Sequence, residues 1–145
     1  MSIHIPDDVW TTMLDHVISC LPEEACGLLG GTGSLASLVL PVANVAGSST
    51  RFQMEPRGQI EAMTRIEQAG LDLVAIYHSH PGGPLVPSKT DLREAAYPES
   101  AYLIWSPGAV AWECRAFWIG PQGATAMAMV SGEGGTPGAV RGLKH

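Results

Sequence analysis

The stretch "HSHPGGPLVPSKTD", residues 78 to 91, holds two histidines one residue apart, a run of prolines and glycines, a serine and an aspartate. On an extended strand, side chains two apart share a face. His78 and His80 can therefore aim both imidazoles at one point beyond a strand end. A zinc ion needs that convergence, because its nitrogen ligands sit about 2.0–2.1 Å away. A carboxylate from the following loop or helix completes a three-ligand set. It leaves a fourth tetrahedral position for water, which separates catalytic from structural zinc. Asp91 is the natural third ligand. Each piece also has an ordinary role: "SKTD" reads equally as a helix start, with Ser88 as N-cap and Asp91 as its capping-box partner. Their combination at one strand exit is what points to a metal.

A hydrolytic zinc site also needs a base, since the metal lowers the pKa of water without removing the proton. Glu23 and Glu24, directly before the apolar run "ACGLL", are the candidates, and spacing alone does not choose between them.

The elements that must position these groups are legible in outline. Val9, Trp10, Met13, Leu14, Val17, Ile18 and Leu21 fall on one helical stripe over residues 6–21, with Pro6, Asp7 and Asp8 suiting its first turn. His16 lies off that stripe and is expected in solvent. Two apolar runs, Ala25 to Leu29 and Leu35 to Val42, flank the glycines at 30, 31 and 33 and read as a hairpin. A phosphate loop would need a Gly-Lys-Ser/Thr ending that this sequence lacks there. A short strand near Arg51 to Met54 precedes a second helix from Pro56 to Ala69, whose inner face is marked by Ile60, Met63 and Ile66. "LDLVAIY" is the continuous apolar run of a strand covered on both faces. A short helix over Lys89 to Ala96 and strands at "AYLIW", "AWECRAFWIG" and "ATAMAMV" follow. Trp10, Trp105, Trp112 and Trp118 are expected in the core. The fold class is α/β: one domain over residues 1–130 with a mixed central sheet flanked by helices, and a flexible glycine-rich tail over 131–145.

Composition narrows the function classes. The 145 residues are 46% hydrophobic and 15% charged, which suits one folded domain and excludes a disordered chain. A net charge of −6 without a basic cluster argues against nucleic acid as a partner. No apolar run is long enough to span a bilayer, and "MSIHIPDDVW" has no basic stretch followed by an apolar one, so no secretory leader is expected. Cys20, Cys26 and Cys114 are an odd number without CxxC spacing, so a cytoplasmic, reducing location is expected.

The form His-x-His, seven residues, Ser, two residues, Asp, preceded by the isolated acids of "EEACGLLGG", resembles the JAMM (MPN-plus) zinc metalloproteases. The resemblance runs from the first helix to the strand near Trp118. It implies an α/β sandwich similar to cytidine deaminases, a Zn2+ ion held by His78, His80 and Asp91, Glu24 as the general base, and Ser88 as the hydroxyl that steadies the oxyanion. The single-domain form, "PEEACGLLGG", "IYHSH" and, more weakly, "PVANVAGSSTRFQMEP" resemble the prokaryotic branch.

That branch implies cleavage after the C-terminal Gly-Gly of a small ubiquitin-like or sulfur-carrier protein, releasing cysteine or a short peptide. An extended tail of that kind can add to an open sheet edge as an extra strand. The same site could instead remove ubiquitin-like modifiers from protein lysines. Two readings come from other classes. A non-catalytic scaffold usually lacks a motif residue, and none is missing here. A cysteine hydrolase would use Cys26, which in "ACGLL" reads better as a small buried hydrophobe.

Overall fold

Ser2–Ile5 alternates half-buried and buried side chains and forms strand β1 of the computed structural model, which describes residues 2–132. Helix α1, Asp7–Ser19, follows, its first-turn acids Asp7 and Asp8 opposing the positive end of the helix dipole. Strands β2, Cys26–Thr32, and β3, Leu35–Val42, form the expected hairpin. Its turn is shorter than the glycines suggested. The strand runs through Gly30 and Gly31 to Thr32, and only Gly33 takes a left-handed φ of 62°. Gly31 is a packing glycine, because a Cβ there would stand 2.0 Å from the backbone oxygen of Leu35.

Helix α2, Pro56–Gln68, is capped by the Glu55 side chain at the Gly58 amide. Strand β4, Asp72–Ser79, helix α3, Lys89–Glu94, and strands β5, Ala101–Pro107, β6, Trp112–Gly120, and β7, Gly123–Ser131, complete the order. The Arg51–Met54 stretch contributes only a bridge between Asn44 and Met54.

The sheet is mixed and closes on itself in the order β1-β3-β2-β4-β5-β6-β7. The closure rests on β1, which the sequence reading passed over. It pairs with β7 from Ser2↔Ala128 to Ile5↔Ser131 and with β3 only at His4↔Leu35. β1 thus occupies the edge that β7 would otherwise present to an incoming strand.

Strand parity divides the core. Ala75, Tyr77, Leu103 and Trp105 pack with Trp10, Met13, Leu14 and Val17 of α1. Ile76, Tyr102, Ile104 and Leu28 pack with Ala62 and Ile66 of α2.

Several expectations need correction. Ile18 and Leu21 are 41% and 42% exposed, because the helix is ending there and no element covers its last turn. Ile60 is 67% exposed. The inner stripe of α2 is Gln59, Ala62, Met63 and Ile66, so a glutamine holds the position expected of an isoleucine. Trp10 and Trp105 are buried edge to face, their ring centres 4.7 Å apart, but Trp112 and Trp118 are only half-buried. Ser131 belongs to β7, and the remainder of the expected tail beyond residue 132 lies outside the described residues. Among the described residues the three cysteines are free, and no helix is long and apolar enough to cross a membrane.

Candidate active site

β4 is buried from Val74 to its end, and His78 has the parity of Ile76, so it emerges on the α2 face. His80, just past the strand, is 5% exposed and its amide donates to Trp105 O at 2.7 Å. On the other side, β2 runs antiparallel with Cys26 opposite His78. Two bonds lock the ends together: the Ser79 amide donates to Ala25 O at 3.1 Å, and the Ala25 amide donates to Ser79 Oγ at 2.8 Å. Continuing that register sets Glu24 opposite His80. Its backbone is held by Ser48 O at 2.8 Å and by Asn44 Nδ2 at 3.0 Å. Glu24 is 2% exposed, whereas Glu23 faces solvent, a distinction that adjacency in sequence could not make.

The three candidate ligands read from the sequence meet. His78 Nε2 and His80 Nε2 lie 3.0 Å apart, and Asp91 Oδ2 lies 3.1 Å from the first and 3.0 Å from the second. A tetrahedral ion with 2.0–2.1 Å bonds has ligand atoms about 3.3 Å apart, close to this triangle. Tautomer chemistry agrees. His80 Nδ1 donates to Pro84 O at 2.7 Å, which leaves a lone pair on its Nε2. Lone pairs and a carboxylate oxygen gathered this closely repel unless a proton or a cation lies among them, so the donor set fits a metal ion. Ligand atoms of Glu24, His78 and His80 also lie within 4.8 Å of one another, a second grouping able to hold a metal.

Asp91 reaches this point from the first turn of α3. Ser88 forms a capping box with it: the Ser88 amide donates to Asp91 Oδ2 at 2.8 Å, and the Asp91 amide donates to Ser88 Oγ at 3.0 Å. The capping reading of "SKTD" therefore holds, and it is compatible with a ligand role for Asp91. The cap aims the carboxylate, and the Ser88 hydroxyl keeps a hydrogen to donate.

Charge states follow the packing. Burial would raise the Asp91 pKa, but His78, His80 and the Ser88 amide override it and hold the carboxyl well below the usual range. Burial pushes His78 down, with His80 adding and Asp91 opposing. For His80 burial is outweighed by its bonds to Asp91 and Pro84, and its pKa rises. Burial lifts Glu24 to about 7, with His80 pulling it down and Asp91 pushing it up. Its Oε1 is buried without a protein partner among the described residues. Cys26 is pushed up to about 12 by burial, then by Cys20 and Glu24, which makes it a poor nucleophile.

Three contributors had no signal in the motif. Phe52 stacks on His78 with ring centres 4.5 Å apart at 27°. Pro84 sets the His80 tautomer through its carbonyl. Tyr102 Oη accepts from the amides of Ala96 and Tyr97 at 3.0 and 2.9 Å, which ties down the chain leaving α3. His16 is a correction: it is half-buried rather than free in solvent, bonds Tyr77 Oη through Nδ1 at 2.6 Å and faces Cys20 Sγ at 3.4 Å. Its place beside the apolar stripe hid this, because the partner comes from β4.

A closed mixed sheet with a helix on each face and a His-His-Asp cluster at a strand exit defines a JAB1/MPN-type domain. Residues 6–120 match the family described as prokaryotic homologs of the JAB domain, and the chain belongs to that family. It is 39% identical over 89 residues to a desampylase of Haloferax volcanii, covering 59% of this chain and 64%, under two thirds, of that protein. It is 34% identical over 122 residues to a probable TtuB-protein conjugate cleaving protease of Thermus thermophilus, covering 83% and 78%. A CysO-cysteine peptidase of Mycobacterium tuberculosis is 31% identical over 101 residues, covering 68% and 69%. In fold, the chain matches the solution structure of a Desulfitobacterium hafniense protein with a TM-score of 0.82 at 33% identity, covering 92% and 94%. It also matches a JAB1/MPN domain protein of Archaeoglobus fulgidus with a TM-score of 0.59 at 19% identity, covering 92% and 100%.

Proposed function

We propose that this chain is a zinc-dependent hydrolase that cleaves the bond after the C-terminal Gly-Gly of a small ubiquitin-like or sulfur-carrier protein, releasing cysteine or a short peptide. The observation that carries the reading is the His78, His80 and Asp91 triangle with the buried Glu24 carboxylate beside it. His78, His80 and Asp91 would be the metal ligands, and imidazole with carboxylate suits zinc. A bound zinc ion would supply Lewis acidity, polarising the scissile carbonyl and easing deprotonation of water.

The remaining work falls to side chains. Glu24, with a pKa near 7, is suited to take a proton at Oε1 and return it to the departing amine, because a base works best near the ambient pH. Ser88 would donate its hydroxyl hydrogen to the developing oxyanion, a type of contact contributing about 3–4 kcal/mol. Phe52 covers the His78 ring and limits its access to water.

The names of the relatives support the substrate class. One is a CysO-cysteine peptidase and another a TtuB-protein conjugate cleaving protease. The second name favours an alternative with the same site, an isopeptidase that frees protein lysines from a ubiquitin-like modifier. Free cysteines suit a reducing, cytoplasmic location.

The test offers a carrier–cysteine conjugate and a carrier–lysine isopeptide to the zinc-loaded enzyme. Cleavage of either should stop with a chelator and persist with a thiol alkylator, and the Glu24→Gln variant should keep its zinc while losing about 10²–10⁴-fold in turnover. Full activity in Glu24→Gln, or activity that survives the chelator, would refute the reading.

A further inference from the structure

Glu24 Oε1 has no protein partner among the described residues, so the place of the carboxyl depends on how the main chain beneath it is held. Three contacts hold it. The Glu24 amide donates to Ser48 O at 2.8 Å, and the Glu24 carbonyl accepts from Asn44 Nδ2 at 3.0 Å. The next amide, that of Ala25, donates to Ser79 Oγ at 2.8 Å. Two of the three come from one loop, residues 44–54. Its ends are joined by the bridge between Asn44 and Met54 and by the Val45 amide, which donates to Gln53 O at 2.9 Å. The same loop carries Phe52, whose ring stacks on His78.

These features converge on Asn44. A carboxamide offers two donor hydrogens and two acceptor lone pairs. Asn44 spends all four on main-chain groups. Its Oδ1 accepts from the Ala46 amide at 3.0 Å and the Gln53 amide at 2.9 Å, while Nδ2 donates to Arg51 O at 3.2 Å and to Glu24 O at 3.0 Å. Three of these bonds shape the loop, and the fourth crosses from it to Glu24. Aspartate has the same shape but no donors, so it can repeat the first two bonds and not the last two.

We propose that Asn44 is a positioning residue, which locks the Glu24 main chain to the loop bearing Phe52 so that one side chain sets both the acid and the cover of His78. The acid's work as a base rests on the hydrolase reading; the coupling does not, and it is read without turnover. In the zinc-loaded protein, amide exchange followed by NMR should show Glu24, Ala46 and Gln53 losing protection together in Asn44→Ala, by about fivefold or more. In Asn44→Asp the Glu24 carbonyl carbon should shift, because its bond is lost, while Ala46 and Gln53 stay protected. Both variants should retain one zinc per chain, since all four bonds of Asn44 go to other groups than the three ligands. With a carrier–cysteine or carrier–lysine conjugate, kcat should fall about 10–100-fold in both variants, because an error of 1 Å at a reacting group can cost about 10²-fold. KM in Asn44→Asp should stay within about twofold, the mark of an effect on the chemical step.

A Glu24 amide that stays protected while Ala46 and Gln53 open overturns the coupling, as does loss of zinc in either variant. A fall in kcat confined to Asn44→Ala would assign Asn44 to the loop alone, and one confined to Asn44→Asp would reflect its added charge. No fall in either would show Glu24 correctly placed without Asn44. Each of the three overturns the positioning role. If the wild type cleaves neither conjugate, the hydrolase reading fails, and the exchange data decide the coupling by themselves.

Discussion

Along β4 and β5, Ala75, Tyr77, Leu103 and Trp105 turn toward α1, while Ile76, His78, Tyr102 and Ile104 turn toward α2 and α3. The first set ends in a close-packed apolar cluster beneath a helix that buries five of its residues. The second begins the same way and then changes character, because α3 buries none of its six residues. Its placement depends on polar ties: the Ser88–Asp91 box at one end and Tyr102 Oη at the other. Apolar burial is non-directional and tolerates small shifts, whereas a ligand set needs direction. One face therefore supplies stability and the other supplies aim.

The largest expected effect lies on the aiming face. His78→Ala should abolish stoichiometric zinc and reduce turnover to background; a variant that still carried one zinc per chain, by metal analysis, would remove His78 from the ligand set. The mirror experiment is Leu103→Ala under α1, which should cost about 2–5 kcal/mol in urea denaturation while leaving zinc content intact. Loss of zinc at unchanged stability would erase the contrast between the faces.

A smaller effect is expected from Tyr102→Phe, which removes one hydroxyl that accepts two amides. Zinc affinity, read by chelator competition, should weaken by about three- to tenfold, in line with a net hydrogen-bond contribution near 1 kcal/mol. An unchanged affinity would show that α3 is held by other means.

The smallest is a pH effect on the α1 side. Burial lowers the His16 pKa below its ordinary 6.5, so the fold favours neutral imidazole. The unfolded chain takes up the proton first as pH falls. The contribution is complete above about pH 6.5 and is lost on acidification through the lower folded-state value. Between pH 8 and 5 the melting temperature should therefore drop more in the wild type than in His16→Gln. Equal drops would place His16 outside this linkage.

The convergence of His78, His80 and Asp91 was legible because strand parity and a helix cap are local rules, and both operate within residues 78–91. That Glu24 and not Glu23 is the buried acid was not legible from spacing, and only the family resemblance pointed to it, since it depends on the antiparallel register with β4. The α1 stripe was readable in its centre, but Ile18 and Leu21 failed where tertiary cover ran out. In α2 the apolar pattern misled because Gln59 faces inward to bond Tyr97 Oη at 2.8 Å, leaving Ile60 outside. The hydroxyl of Tyr102 and the ring of Phe52 act on partners from other elements, which no spacing rule announces. β1 was missed for a related reason: four residues carry little periodicity, and their partners sit at the far end of the chain.

That last pairing sets a timetable. Residues 2–5 are made before the other strands of the sheet, yet their main ladder partner, residues 128–131, belongs to the last strand made. The histidine strand and its hairpin neighbour can form early, but the ring of strands stays open until β7 has been made. Non-local closure of this sort is slow compared with helix or hairpin formation. Until then both flanks of the nascent sheet expose backbone to other chains, so the interval before closure is when this molecule is most open to mispairing.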